Sequence, residues 1–581
     1  MIKAEKLSYG FPDIQLYNEI SFALEEGKHC ALIGSNGTGK TTLAELIRRP
    51  EDFLFDGKLV RENVGRIGYV SQFASREKDQ DITVFEYLSG DFLRLQAETE
   101  DVCAQMGEAE DLDALLEKYQ CLLDEAESMD ADNYEVNIHR QLHLAELDSK
   151  ADLELSKLSG GEYKLVQVIR QMLRRPGLLI MDEPDVFLDF ENLNGLRDLI
   201  NAYAGTLLVV THSRYLLAHC FNQIWHLENA DLQEFEGNFT EYQYALLQKK
   251  IEMQQASAKG EAEIQRATEM VERLRKDATE VIDPLRGRTL KQKVSYLERV
   301  KAWQVKAPFV EIRQPKITLP EVEMTEEVPE ILLQVTDYNL AFEEKLLEHV
   351  DFNVHAHEKV ALVGPNGTGK TTLLRELWKA ENPAIRFDET AKVGFFSQLQ
   401  EETLNEDNTI YQEFYDLGFE TASGVEEHLK SYCFDPDTLD RKISKLSGGE
   451  KNLLQLAKIA VGDYDLLLLD EPSSHLDTYA QMALEEAIAK YQGAILMVSH
   501  DFYSIVNCAD RILYVENGTI RPMSARAFRK MIYKNHFSLE YLELEKQKKE
   551  LETRISRCLE ARDCETAAAL CEELGAIVDK M

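Results

Sequence analysis

Two lysines sit in loops whose residue types suit the holding of a phosphate chain. Residues 34–42 read Gly34-Ser35-Asn36-Gly37-Thr38-Gly39-Lys40-Thr41-Thr42. Residues 364–372 read Gly364-Pro365-Asn366-Gly367-Thr368-Gly369-Lys370-Thr371-Thr372. Glycines let backbone N–H groups turn toward an anion without a Cβ in the way. The lysine neutralises phosphate charge, and the hydroxyl of Thr41 or Thr371 can ligate Mg²⁺. An apolar run then ends in an acidic pair twice, at Asp182-Glu183-Pro184 and Asp470-Glu471-Pro472. The aspartate suits the Mg²⁺ shell, and the glutamate suits orienting or deprotonating an attacking water. His212 and His500 each fall 30 residues after their aspartate (182 to 212, 470 to 500). That recurrence assigns them to the terminal phosphate rather than to a merely structural place.

The elements that must position these groups are also legible. Residues 29–33 and 360–363 read as buried strands feeding the glycine loops, with helices starting at 42 and 372 whose N-termini face the anion. The four-residue runs 178–181 and 466–469 suit strands buried on both faces of a parallel sheet. Their carboxylates then lie where open α/β sheets bind ligands. Leu-Ser-Gly-Gly-Glu occurs at 158–162 and 446–450, in each case 24 residues before the acidic pair (158 to 182, 446 to 470). Ser159-Gly160-Gly161 and Ser447-Gly448-Gly449 form a compact, N–H-rich turn at a helix start, and a serine cap alone would look the same. Gln72 and Gln398, each after a Val-Ser or Phe-Ser strand end, are expected to sense the metal and the water.

This set of motifs resembles the ATP-binding cassette superfamily, over residues 1–240 and 330–525. It supplies Walker A, Q-loop, LSGG signature, Walker B with its glutamate, D-loop and H-switch, all twice. The resemblance implies a doubled α/β P-loop ATPase using ATP and Mg²⁺, with the two halves head to tail. Ser447, Gly448 and Gly449 would then cap the ATP on Lys40, and Ser159, Gly160 and Gly161 the ATP on Lys370. It also implies an aromatic stacked on adenine, from Tyr9 or Phe11 in the first half and Phe342 in the second. The expected state is a monomer with its two cassettes paired intramolecularly.

No run approaches the ~18 consecutive apolar residues of a membrane span, and the N-terminus shows no signal-peptide core. No membrane partner and a cytoplasmic location are therefore expected. A twin-cassette chain of this kind, with a helical linker, resembles the ABC-F family. Gly237-Asn238-Phe239-Thr240-Glu241-Tyr242 is similar to the stretch leading into that family's linker. The resemblance implies a ribosomal partner, with rRNA and tRNA near the exit or peptidyl site. It leaves open a translation factor and a protection factor that dislodges peptidyl-transferase antibiotics. Of the other classes, a transporter motor subunit fits poorly with the missing spans. A DNA-repair ATPase would need long coiled coils or zinc motifs inside the cassettes.

The repeat offset locates an insertion. The lysine loops are 330 apart and Gln72 and Gln398 are 326 apart, but signature, acidic pair and histidine are each 288 apart. The first half thus carries about 38 extra residues between Gln72 and Leu158. Within 94–133, Leu112, Leu115, Leu116, Tyr119, Leu122 and Leu123 recur at helical spacing, which predicts an amphipathic hairpin. The expected partition is a first ATPase domain over 1–242, a helical linker over 243–325, a second ATPase domain over 326–528 and a helical extension over 529–581.

Charge singles out the linker. The chain has a net charge of −39. Yet 284–306 holds Arg286, Arg288, Lys291, Lys293, Arg299, Lys301 and Lys306 against Glu298 alone, a local +6. Pro284 breaks the helical pattern, so the basic residues follow the tip of a hairpin. Basic side chains on one protruding element are a footprint for RNA phosphates, and Arg286, Arg288, Lys291 and Lys293 are the expected contacts. The acidic remainder would discourage contact elsewhere. Leu544, Leu551, Ile555 and Leu559, with Leu570, Leu574 and Ile577, suit a short C-terminal coiled hairpin. Nine cysteines without a C-x-x-C pair read as reduced thiols.

Overall fold

The computed structural model describes residues 1–11, 14–62, 64–72, 81–106, 112–186, 188–255, 314–320, 330–341, 345–415, 417, 419, 421–533 and 539–580. Arg286, Arg288, Lys291, Lys293 and Phe342 lie outside them. The chain falls into two compact units, Met1–Glu236 with Arg313–Ile532, and Gly237–Ile312 with Tyr533–Met581.

The larger unit contains two α/β lobes built alike. In the first, β1 (Ile2–Phe11), β2 (Ile14–Leu24), β3 (His29–Ile33), β4 (Asp56–Arg61), β5 (Ile67–Val70), β6 (Leu178–Asp182), β7 (Thr206–Val210), β8 (Gln223–Glu228) and β9 (Asp231–Glu236) form two sheets. One is antiparallel, in the order β2-β1-β4, and the other runs β5-β6-β7-β3-β8-β9. Only the β8–β9 pair in the second sheet is antiparallel. In the second lobe, β10 (Ile331–Ala341), β11 (Lys345–His355), β12 (Lys359–Val363), β13 (Ile385–Phe387), β14 (Val393–Phe396), β15 (Leu466–Asp470), β16 (Ala494–Val498), β17 (Arg511–Glu516) and β18 (Thr519–Ser524) repeat the pattern. The orders are β11-β10-β13 and β14-β15-β16-β12-β17-β18.

Burial explains these strands better than residue propensity does. Leu466–Asp470 is four leucines and an aspartate, a composition that favours helix in isolation. Every residue of the strand is buried, because helices cover both faces of a parallel sheet. Strand order then does the positioning. β3 lies between β7 and β8, and β6 lies beside β7, with Asp182 paired in register with Val210. The carboxyl ends of β3, β6 and β7 therefore deliver the lysine loop, Asp182-Glu183 and His212 to one edge of the sheet. β12, β15 and β16 do the same for Lys370, Asp470-Glu471 and His500.

The insertion is a pair of helices, Val84–Met106 and Leu112–Ser128. The first begins ten residues before the expected start at 94 (84 to 94). Leu95, Val102 and Leu122 are buried between the two, with Leu115 and Tyr119 packed against them. Leu112, Leu116 and Leu123 instead face outward. Asp91 ties the first helix down. Its carboxylate accepts from Arg174 at 2.7 Å and from Arg170 at 3.1 Å, both at the end of the Gly160–Leu173 helix.

In the smaller unit, Leu539–Glu560 packs on Cys564–Val578 through Leu551, Ile555, Leu559, Leu570 and Leu574, joined by Ile251. A capping box starts the helix that carries Ile251. Asn238 accepts from the Glu241 N–H at 2.9 Å, and Glu241 accepts from the Asn238 N–H at 2.8 Å. Asn238 and Glu241 of the 237–242 stretch thus have a local structural use. All nine cysteines are free.

Candidate active site

Each lysine loop curls around its own lysine. Lys40 Nζ donates to the carbonyls of Gly34 (3.0 Å) and Ser35 (2.9 Å), and Lys370 Nζ to those of Gly364 (2.8 Å) and Pro365 (2.7 Å). Thr38 and Thr368 close the turns by donating to Ser35 and Pro365 carbonyls, at 2.9 Å each. Gly39 has φ +95°, and a Cβ there would stand 2.9 Å from the Tyr17 hydroxyl, so the position accepts no side chain. Gly37, Gly367 and Gly369 share the left-handed conformation. The helices Lys40–Arg48 and Lys370–Lys379 begin at the lysines, carrying Thr41, Thr42, Thr371 and Thr372 in their first turns.

The strand ends bring the acidic groups to these loops. Thr41 Oγ1 lies 3.3 Å from Asp182 Oδ1, and Thr371 Oγ1 lies 3.1 Å from Asp470 Oδ1. Glu183 and Glu471 take left-handed backbone conformations (φ 45° and 52°), which non-glycine residues adopt at a cost of about 1–3 kcal/mol. Their N–H groups are fixed to the neighbouring strand, at Val210 O (2.8 Å) and Val498 O (2.9 Å). Gln72 Nε2 donates to Glu183 Oε2 at 2.6 Å. Gln398 is half-buried after β14, and Gln400 reaches instead to the Gly448 carbonyl (3.1 Å) and Asn452 (2.8 Å).

Burial sets the titration of the site. It pushes Glu183 up to about 7, with Asp185 and Asp182 adding to the effect. Burial also raises Glu471 and takes Asp470 up to about 6. The same desolvation carries His500 down to about 3 and His212 well below the usual imidazole range, so both rings are neutral near pH 7. Lys40 and Lys370 are lowered by burial and supported by the surrounding carboxylates.

Each loop also meets the other lobe. The Asn36 N–H donates to Asp477 Oδ2 (3.1 Å), and Asn36 Nδ2 donates to the His475 carbonyl (2.8 Å). A Cβ on Gly449 would lie 2.1 Å from Asn36 Nδ2. Reciprocally, the Asn366 N–H donates to Asp189 Oδ2 at 3.0 Å. Ser159 and Ser447 cap the Gly160–Leu173 and Gly448–Ile459 helices in capping boxes with Glu162 and Glu450. The serine-cap reading and the anion-site reading are thus compatible. The Gly449 turn stands against the Lys40 loop.

The donor set fits a phosphate chain with Mg²⁺. Buried polar atoms without a hydrogen-bond partner among the described residues stand here: both ring nitrogens of His212, His500 Nδ1, Asp470 Oδ2 and Glu471 Oε1. Buried polar groups are ordinarily satisfied, and a triphosphate, its metal and the attacking water would engage each of these.

The ABC transporter family model matches residues 17–186 and 347–474, together just over half of the 581 residues. The chain belongs to the ATP-binding cassette family. Its homologues include the F-family proteins. It is 27% identical over 538 residues to ABC transporter F family member 5 of Arabidopsis thaliana, covering 89% of this chain and 75% of the relative. It is 25% identical over 536 residues to the ribosome protection protein VmlR of Bacillus subtilis (strain 168), covering 90% and 87%. The RNase-L Inhibitor structure superposes with a TM-score of 0.53 at 19% identity, covering 92% of each chain, and shows the shared fold. The protein is thus a tandem cassette chain that binds ATP, and no helix among the described residues is long and apolar enough to cross a membrane.

Several residues of the cassettes were not foreseen from sequence. Tyr17 donates to the Gly39 carbonyl at 2.6 Å, whereas Leu340 and Leu346 stand against Gly369 in the second cassette. Glu228 accepts from the N–H and hydroxyl of Ser35, at 3.0 and 2.8 Å. Lys164 donates to the carbonyls of Ser71 and Gln72 (3.0 Å to the latter), and Asp185 accepts from Thr211 at 2.6 Å. The repeat aligns this charged pair with the neutral Asn452 and Ser473. Only the signature and acidic-pair alignments could have flagged it. Of the expected adenine partners, Tyr9 packs edge-on against Phe53, with ring centroids 5.4 Å apart, and Phe11 is 54% exposed.

Proposed function

We propose that this chain is an ABC-F ATPase that binds the ribosome and modulates translation, closing on two ATP molecules and reopening on hydrolysis. The observation that carries the ATPase part is reciprocal contact of each lysine loop with the opposite cassette, at Asn36–Asp477 and Asn366–Asp189. Each ATP site is then composite. Residues 34–42 hold one triphosphate and Ser447, Gly448 and Gly449 cover it; residues 364–372 hold the other beneath Ser159, Gly160 and Gly161. Thr41, Gln72 and Asp182 would hold Mg²⁺ in the first site, and Thr371, Gln398 and Asp470 in the second. That ion supplies positive charge to the β- and γ-phosphate oxygens. Glu183 and Glu471 take a proton from the attacking water. Neutral His212 and His500 donate to the γ-phosphate, a role open to an uncharged ring. Charge developing on the transferred phosphoryl meets Lys40 or Lys370 and the loop N–H groups.

The ribosomal part is supported by the homologue named a ribosome protection protein, aligned over most of both chains. It is also supported by the +6 segment 284–306 in a chain of net charge −39. Arg286, Arg288, Lys291 and Lys293 would contact rRNA or tRNA near the exit and peptidyl sites. A protection factor acting on peptidyl-transferase antibiotics is favoured as second reading by the same homologue.

Co-sedimentation of a Glu183→Gln/Glu471→Gln variant with ribosomes tests the proposal. Retention with ATP and release without it is expected. A variant that loads ATP but never pellets with ribosomes refutes the ribosomal reading. Growth on lincosamides, pleuromutilins and phenicols then separates protection from a general translation role.

A further inference from the structure

The repeat aligns Ser213-Arg214, after His212, with Asp501-Phe502, after His500. These two dipeptides differ in charge, and the structure joins the charged halves. Arg214 of the first cassette reaches into the second, where Nη2 lies 2.9 Å from Asp501 Oδ2 and also bonds Glu485. The three side chains are 10%, 19% and 8% exposed, so the group is shielded from water. The guanidinium sits 4.8 Å from the Tyr503 ring centroid. The repeat puts an uncharged residue, Phe502, at the position that matches Arg214. Phe502 stands edge-on to Phe190 of the first cassette at 6.2 Å. Arg214 thus makes an ionic contact across the seam, whereas its counterpart Phe502 makes an aromatic one.

The ionic side leads directly to a histidine. Asp501 follows His500 and caps the Phe502–Cys508 helix, accepting from Tyr503 N–H at 3.1 Å. Its other oxygen accepts from Ser504 at 2.6 Å and from Arg214. The His500 N–H in turn lies 3.2 Å from Glu471 Oε2. Arg214 thus bridges the shielded carboxylates of Asp501 and Glu485. On its own side, Arg214 opens a helix that Ser213 caps through its hydroxyl, a bond independent of the guanidinium.

We infer that Arg214, a residue of the first cassette, is a positioning residue for the second ATP site, holding Asp501 and through it His500 against Lys370 and Glu471. This rests on the two-site ATPase reading above. It assigns the two sites different dependence on cassette closure, since the repeat puts Phe502 where a reciprocal arginine would stand.

The test compares steady-state ATP hydrolysis in two backgrounds. Glu183→Gln leaves the second site as the hydrolysing one, and Glu471→Gln leaves the first. Arg214→Met should lower kcat about tenfold in the Glu183→Gln background, inside the ~100-fold that a ~1 Å misplacement produces, with KM for ATP changed less than about twofold. The Glu471→Gln background should change less than about twofold. Arg214→Lys, which keeps the charge without the fork, should recover part of the loss. Equal losses in both backgrounds, a larger loss at the first site, or a lysine variant no better than methionine would overturn the inference. If Arg214→Met does not fold, Arg214→Lys and Asp501→Asn carry the same comparison, because each weakens the contact and should favour the first site. If neither parental background hydrolyses ATP, the ATPase reading fails first, visible before Arg214 is changed, and the inference falls with it.

Discussion

Gly449→Ala should disable the first ATP site while sparing the second. The added Cβ would stand 2.1 Å from Asn36 Nδ2 and 2.5 Å from the His475 carbonyl. Asn36 belongs to the Lys40 loop and donates to that same carbonyl at 2.8 Å. The methyl group therefore drives between two atoms that hold the cassettes together, and a backbone carbonyl cannot rotate away. Overpacking of this kind costs about 1–3 kcal/mol. At about 1.4 kcal/mol per tenfold, the closed form of the first site would fall roughly 5- to 150-fold relative to the open one. The matching change, Gly161→Ala, meets the Asn192 side chain at 2.9 Å and Leu188 at 3.3 Å, within its own cassette. Side-chain rotation can relieve part of that crowding, so its effect should be smaller. ATP turnover of Gly449→Ala in Glu471→Gln and Glu183→Gln backgrounds is the assay. A loss confined to the Glu471→Gln background is expected. Equal losses, or a loss confined to the other background, would refute the assignment of the Gly449 turn to the Lys40 loop.

Two other outcomes follow from the geometry. Glu183 is raised to about 7 by burial and must be a carboxylate to accept a proton. The acid limb of kcat/KM in a Glu471→Gln background should therefore lie near pH 7, activity falling as pH drops, and a limb below about 5 would contradict this assignment. Asp91 is held below its ordinary range by Arg170 and Arg174, which overcome the opposing effect of burial. Its stabilisation is present above the unfolded carboxylate value and lost as pH falls through the folded one. Asp91→Ala leaves two arginines without their shared partner and should cost about 3–5 kcal/mol locally, read as a lower apparent Tm and faster proteolysis in the 84–128 helices at pH 7. Unchanged melting and cleavage would show that the inserted pair is held by its apolar contacts alone.

Much of the architecture was legible because it is local in the chain. The glycine loops, the acidic pairs and the histidines repeat at fixed offsets, and each stands at the end of a strand whose apolar run announces it. Propensity alone would have misplaced Leu466–Asp470, where four leucines form a strand because helices cover both sheet faces. The inserted helices were legible in kind but not in facing. Leu115, Tyr119 and Leu122 turn inward, whereas Leu112, Leu116 and Leu123, at equally helical spacing, turn outward. Spacing gives the stripe, and only the partner helix chooses between two stripes. Least legible were the contacts across the cassette seam. Asn36 and Asp477, or Arg214 and Asp501, are joined by the pairing of two lobes; the family resemblance implied that pairing, but residue spacing near either partner does not signal the other.

The pairing of lobes around nucleotide is the claim on which the rest depends, and counting trapped ATP tests it most directly. The Glu183→Gln/Glu471→Gln variant, loaded with Mg²⁺ and radiolabelled ATP and passed rapidly through a desalting column, should retain two ATP per chain, and adding Gly449→Ala should reduce this to one. Retention of one ATP or none by the double variant, or two with Gly449→Ala present, would contradict the composite sites.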